Sequence, residues 1–432
     1  MYGRTRLTGS SSNTAARSAT GKRLLVIPSE PLLTYERVGV ASLLQGYYNP
    51  AGMFSEVFAW CPAEPRDRRA HGMSVLTWRS LRRVLREVQP DVVRAYGGYW
   101  ACDAACRWRA PGVPVVVSVH DPHPHMVHRS VRYAEMVVCM SEVVEQAVLA
   151  RGTSPQRIRR LPNRIDRRVF RPLPAGRARK AMAGRFPPGR YVLHVGRKAR
   201  EKNIETVVRA LPLLPKEYRA VFVGRGNPLA YQRLAESIRA ADRCHWVPRV
   251  ANDELPLWYG WCDCMCTPSL WEGFGLVFIE AAACGAPVVT SDIPPMNRYL
   301  SHAESAHLVR DYTDPRALAG AIRRVCEDEA YRAKLGRGAV EACEPFDLPN
   351  VEAMETALYR EALDMAAGTL TLPQRLDLRM SRLPHQLNSA SLWARRNLRR
   401  LRNDLRPLNR VPFRQRHGTG ASTAGKGDNG CT

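Results

Sequence analysis

No stretch of the chain approaches about twenty uninterrupted apolar residues, so no membrane-spanning helix is expected. The N-terminus lacks the apolar core that a secretory signal needs. Residues 1–20 are instead basic and rich in Ser and Thr, and read as disordered, a composition shared by cleaved transit peptides. Cysteine is thinly spread: twelve in 432 residues, without the density of a disulfide scaffold. Reduced thiols fit a cytoplasmic location. Acid is the scarce charge, with 40 Asp and Glu against 65 Lys and Arg and a net charge of +25.

What is present is an alternation of aliphatic runs and amphipathic stretches, long enough for two or three domains with ample core. That pattern argues α/β domains built on parallel sheets. The most informative run is 268–292. Glu272 and Glu280 lie eight residues apart with Gly273-Phe274-Gly275 between them. A helical pattern follows over Val277–Cys284. Gly285 and Pro287 end it, and an apolar strand begins at Val288. One acid then sits in a loop and the other on the helix behind it, able to share a crevice beyond the carboxyl ends of a parallel sheet.

Upstream, Tyr191-Val192-Leu193-His194-Val195 reads as a buried strand broken by Gly196-Arg197. Glu201-Lys202-Asn203 leads into a helical pattern over Ile204–Leu214, with Asn203 the expected N-cap. Arg197 and Lys202 thus flank a helix N-terminus at a strand end. Free N–H groups and two cations there suit a diphosphate. A second strand, Ala220-Val221-Phe222-Val223, ends in Gly224-Arg225-Gly226, a turn that allows close backbone approach to a ligand.

Together these segments resemble the retaining GT-B glycosyltransferases of the family-four type (glycosyl transferases group 1). That family's Glu, seven residues, Glu signature matches Glu272 to Glu280 with the following Gly285-Ala286-Pro287-Val288. Its Gly-Arg-x-x-x-Glu-Lys-Asn pattern matches Gly196 to Asn203. The resemblance covers about residues 22–365. It implies two Rossmann-like domains with parallel sheets facing across a cleft, and transfer of a sugar from a UDP- or GDP-sugar to a glycan, lipid-linked or small-molecule acceptor. It places Arg197 and Lys202 on the donor diphosphate, Glu280 on the ribose hydroxyls and Glu272 beside the transferred sugar. It adds Gly196, Gly224, Gly226, Val250, Gly273, Phe274, Gly275 and Leu276 to the donor site. It implies no cofactor and no obligatory metal: no Asp-x-Asp pair occurs, and two cations can take a metal's place on the diphosphate.

The N-terminal half is less typical. Strands are expected at Leu24–Ile27, Val92-Val93, Val115–Val119 and Val137–Cys139. Where the family often has a Gly-Gly loop near the diphosphate, only Gly39 stands. The strand Val115–Val119 ends at His120-Asp121. The resemblance offers His120 as a catalytic candidate on the donor sugar, against a structural histidine. His123, His125 and His128 follow in a loop that Pro122 and Pro124 should hold extended, and acceptor contacts or plain surface are preferred there to a metal. Pro162-Asn163-Arg164 has Arg where relatives carry Gly. Arg164 either alters the turn or reaches an anionic substrate. Cys262, Cys264 and Cys266 alternate; one strand face cannot close a tetrahedral site, so core thiols are preferred.

The expected boundaries are a disordered basic N-terminus (1–21), an acceptor domain (22–171), a linker rich in Pro, Gly and Arg (172–189), a sugar-nucleotide domain (190–345), a helix returning to the first domain (346–368), a basic tail (369–417) and a disordered end (418–432). Residues 369–432 hold thirteen basic residues against three acidic. Leu398, Leu401, Leu405 and Leu408 recur at helical spacing among arginines, an amphipathic pattern suited to an anionic membrane surface through 389–410. That would station the protein peripherally on the inner face. Nucleic acid and a solvated tail are the competing readings, and the apolar stripe favours the membrane. Two further readings compete for the whole chain. A hydrolase using two carboxylates leaves Arg197 and Lys202 unexplained. A catalytically silent scaffold leaves the intact charged motifs unexplained.

Overall fold

The structure is a computed structural model that describes residues 21–37 and 44–381. Gly39, the N-terminal segment and the 389–410 tail lie outside the described residues.

Eight strands form the first sheet: β1 (Arg23–Ile27), β2 (Glu56–Trp60), β3 (Arg68–Ala70), β4 (Met73–Leu76), β5 (Val92–Tyr96), β6 (Val115–Val119), β7 (Met136–Cys139) and β8 (Ile158–Arg160), in the order β3-β4-β2-β1-β5-β6-β7-β8. All neighbours are parallel except β3 with β4. The β-branched run of β6 explains its place: all five residues are buried, as a strand covered by helices on both faces must be. β5 carries Arg94 in such a buried run, which the site below accounts for.

Six strands form the second sheet: β9 (Arg190–Val195), β10 (Tyr218–Val223), β11 (Cys244–Val247), β12 (Cys264–Thr267), β13 (Val288–Ser291) and β14 (His307–Val309). They run parallel in the order β11-β10-β9-β12-β13-β14. The order reverses direction between β9 and β12, a switch point of the kind where such sheets bind ligands. Two Rossmann-like α/β units therefore make up this part of the chain. They meet at their carboxyl ends: the Ser141 hydroxyl after β7 donates to the Gly273 carbonyl after β12 (2.5 Å).

The chain then returns. Asp347 accepts from the Leu348 N–H at 2.9 Å, capping the helix Leu348–Asp364. Val351, Tyr359 and Ala362 bury in the same cluster as Leu24 and Val26 of β1. The ladder pairs Ile165 with Asp347, and Arg164 Nη1 reaches Glu355 at 2.6 Å. Arg164 also donates to the Tyr47 carbonyl and lies 4.5 Å over the Tyr47 ring. Its charge is thus already met by the returning helix, and of the two readings the turn-anchoring one fits its partners.

Local expectations needed three corrections. The helix after Asn203 runs only Ile204–Ala210, with a tighter turn at Leu211–Leu213, because Pro212 has no N–H to continue it. The Pro-rich stretch before β9 contains a helix, Arg177–Met182, whose Ala178 and Met182 are buried. The histidine loop is not wholly extended: Pro124–Met126 forms a single helical turn. Among the described residues, the eleven cysteines are free and buried, Cys264 and Cys266 inside β12, and no helix is long and apolar enough to cross a membrane.

Candidate active site

The site grows from the ends of β9, β10 and β12. Leaving β9, Gly196 donates its N–H to the Val223 carbonyl of β10. Gly224 leaves β10 at φ +142°, and a Cβ there would lie 1.9 Å from the Gly196 carbonyl oxygen. Gly226 lies less tightly against Lys198, whose carbonyl oxygen would stand 2.8 Å from its Cβ. The Gly-x-Gly turn is therefore required by backbone meeting backbone, loop 196–198 against loop 224–226.

Lys202, at the end of the turn after β9, reaches across to Glu272 in the loop after β12. Its ammonium is 2.5 Å from Glu272 Oε1, and the Ser269 hydroxyl donates to the same oxygen at 2.8 Å. A backbone bond from Leu270 N to the Glu201 carbonyl (2.8 Å) locks the two loops together. Glu272 is 9% exposed, so a charged carboxylate there needs this pairing. The Ser291 hydroxyl in turn donates to the Ser269 carbonyl. Asn203 does not cap by side chain. It adopts φ +51°, its amide donates to the Tyr312 carbonyl, and its oxygen accepts from the Thr206 hydroxyl.

Arg197 does not converge on this pair. It pairs with Glu201 at 2.7 Å and its side chain is 70% exposed, so it stands at the rim. Helix Leu276–Ala283 carries Glu280 into the interior, 5% exposed, with the Tyr259 hydroxyl donating to Oε2 at 3.1 Å. Burial pushes its pKa up to about 7; the Tyr259 bond opposes the shift without cancelling it. His194, buried in β9, is held neutral: burial, then Lys202, lowers its pKa to about 3.

The first sheet supplies the opposite wall. Gly273 fits against the His120 carbonyl, where a Cβ would come within 2.5 Å. The Phe274 ring is buried, stacked on Tyr299 at 5.6 Å and edge-on to Phe346, so only its backbone faces the loop. Gly275 turns at φ +83° into the helix, and Leu276 opens onto a cavity of about 560 Å³ that His120, Tyr96, Ser118, Arg164 and Asn163 also line. His120 exposes its ring to this cavity while protein encloses the cleft around it. That enclosure and then Arg94 lower its pKa to about 4, so it enters the cleft neutral. Arg94 itself is buried, bonded to Ser118 Oγ at 2.9 Å and 3.5 Å from Glu355 Oε1. Val250 follows β11 as a partly buried contact of the core. His123 packs on Trp271 and His125, and His128 is buried on Ser130.

Three contributors carried no sequence signal that marked them: Lys198, Tyr259 and Glu355; Ser269 belongs to the Pro268-Ser269 that opens the 268–292 run. Lys198 is buried and donates to the Gly224 and Val247 carbonyls, tying the ends of β9, β10 and β11; burial lowers its pKa. It could have been suspected only from lying inside the Arg197–Lys202 turn.

Comparison with known proteins gives the family and the fold. Residues 180–342 match the model of the glycosyl transferases group 1 family, and residues 48–169 match that of glycosyltransferase family 4. The chain is 31% identical over 310 residues to a D-inositol 3-phosphate glycosyltransferase of Acidothermus cellulolyticus, covering 63% of this chain and 67% of that protein. A second such enzyme, from Catenulispora acidiphila, is 26% identical over 331 residues, 67% of this chain and 78% of its own. Among solved structures, Anabaena HepE in complex with UDP superposes with a TM-score of 0.65 at 17% identity, covering 79% of this chain and all of its own. Sucrose-phosphate synthase of Thermosynechococcus elongatus gives 0.65 at 21%, covering 79% of this chain and 98% of its own. The fold is GT-B, and the chain belongs to the glycosyl transferases group 1 family and is a glycosyltransferase.

Proposed function

We propose that this glycosyltransferase takes its sugar from a nucleoside-diphosphate donor and delivers it, with retention of anomeric configuration and without an obligatory metal, to a small polyhydroxyl acceptor in the cavity above the first sheet. The observation that carries the reading is the Lys202–Glu272 pair at the switch point between β9 and β12. A diphosphate seated there shares the Lys202 ammonium, and Arg197 swings in from the rim as the second cation. Charge that builds on the departing diphosphate then meets preorganised cations, a leading source of rate enhancement. Glu272, released from full pairing, faces the sugar whose anomeric carbon becomes positive. Glu280 receives the ribose hydroxyls from behind the helix. Neutral His120 can donate or accept a hydrogen bond to the sugar from the first domain.

HepE solved with UDP and with UDP-glucose supports a nucleotide-sugar donor. The relatives named for D-inositol 3-phosphate and the size of the cavity support a cyclitol- or sugar-sized acceptor. The hydrolase reading needs two carboxyl groups flanking a substrate. That reading gives the Lys202 ammonium beside Glu272 no part in the reaction.

The test is incubation with labelled UDP- and GDP-sugars and polyol or sugar acceptors, with and without chelator, reading product and anomeric configuration by NMR. Transfer with retention, unaffected by chelator, is expected. An inverted product, or activity restored only by added divalent metal, overturns the corresponding part. Release of free sugar with no acceptor product overturns the whole.

A further inference from the structure

After the helix Leu348–Asp364 the chain turns and forms one more helix, Leu372–Met380. Leu378 buries against the first domain, and its carbonyl accepts from Arg107 at 2.6 Å. Asp377 accepts from the Tyr133 hydroxyl at 2.8 Å and is shared by Arg129 and Arg132. That fixes which face is turned in. On the other face Leu372 is 71% exposed and Leu376, one turn later, 51%; the helix ends on Met380, 59% exposed. Large apolar side chains repeating every four residues in water are not explained by the fold.

The surroundings are strongly basic. Arg109, Arg132 and Arg157 line a hollow of about 700 Å³ beside Leu370 and Gln374. Arg109 is paired with Glu135, and Arg129 and Arg132 have one carboxylate between them. Arg157 and Arg375 donate to backbone carbonyls, and no carboxylate pairs with either among the described residues. With Arg107, which is paired with Asp103, six arginines here face three acids. The occupant must therefore be both apolar and negative. The chain's own residues 382–432 do not qualify, with eleven basic residues against two acidic, and neither does a second copy of a protein carrying +25.

We propose that this face docks on an anionic phospholipid bilayer, Leu372 and Leu376 entering the acyl boundary and the arginines around Asp377 taking the headgroup phosphates. Amphipathic helices with basic flanks bind membranes in this way. The first domain is thereby tethered to the bilayer, independently of which donor the enzyme uses.

The test is co-sedimentation of the full chain with vesicles of phosphatidylcholine alone and of phosphatidylcholine with phosphatidylglycerol, over a salt series. Its companions are Leu372→Asp/Leu376→Asp and the conservative Leu372→Phe/Leu376→Phe. Binding to the anionic vesicles that weakens with salt is expected. The double Asp variant should lose it by roughly tenfold per leucine, with unchanged melting temperature, while the Phe variant keeps it. Equal binding by wild type and the Asp variant overturns the proposal, because the attachment then lies elsewhere in the chain. Equal binding to phosphatidylcholine alone overturns the anionic specificity. No binding to either vesicle overturns the bilayer in favour of an acidic protein.

Discussion

Glu280 should make donor binding depend on pH, and in one direction only. Its carboxyl is buried and its pKa stands at about 7 in the unliganded protein. Ribose hydroxyls arriving at the carboxylate donate to it and favour the ionised form, which lowers the pKa in the complex. Binding must then release a proton, and affinity must rise with pH until the free carboxyl is ionised. With a pKa of about 7, about one tenth of the free protein carries the charge at pH 6 and about nine tenths at pH 8, so affinity should rise roughly tenfold across that range. At pH 7 about half a proton should be released per donor bound. A nucleotide sugar is the right probe because its diphosphate, esterified at both ends, does not titrate there. Isothermal calorimetry in buffers of different ionisation enthalpy reads both quantities. Glu280→Gln should bind more weakly at pH 8 and show neither the slope nor the proton release. A wild-type affinity flat from pH 6 to 8, with no proton released, refutes the ribose role of Glu280.

Three shorter predictions follow from the same geometry. Lys202→Met should cost roughly a hundredfold in single-turnover rate, as the loss of one preorganised donor typically does; Arg197→Ala should cost less, since that side chain is mostly solvated and already paired with Glu201, and equal losses would contradict the ranking. Gly224→Ala should destabilise the protein by more than about 3 kcal/mol, because the Cβ collides with the Gly196 carbonyl in a backbone conformation that alanine avoids; chemical denaturation measures it. Arg164→Ala should cost about 3 kcal/mol by stripping Glu355, 4% exposed, of its closest cation, with donor binding unchanged when titrated on the folded variant.

The second sheet was the more legible half. Its strands β9 and β10 are apolar runs that end in glycine, and each of those glycines marks a real geometric demand at a strand end. The Glu272 and Glu280 spacing, with the helix between Gly275 and Gly285, carried through to the structure almost unaltered because a loop–helix–strand unit is local. In the first sheet only the strongly β-branched strands stood out. Strands β3 and β4 are short and carry polar residues, such as Arg68-Arg69, and take their identity from the neighbour they pair with.

What the sequence withheld is what depends on two distant segments meeting. Spacing placed Arg197 and Lys202 together as cations for a diphosphate, yet tertiary packing separates them: Lys202 turns inward because Glu272, seventy residues on, offers a buried carboxylate, while Arg197 finds Glu201 four residues along at the surface. Nothing in the local sequence distinguishes Lys198 from the many other cations of a basic chain. It is buried because the carbonyls of Gly224 and Val247 converge where β9, β10 and β11 end, and no local pattern encodes that convergence. Glu355 is the same case. On its own helix it reads as a surface acid, and only Arg164 and Arg94, brought in by the strands of the first sheet, make its burial tolerable. A helix that returns to the first domain and ends its charge on that domain's arginines gives the two halves of the cleft a shared anchor. That anchor forms a wall of the cavity in which the acceptor is proposed to sit.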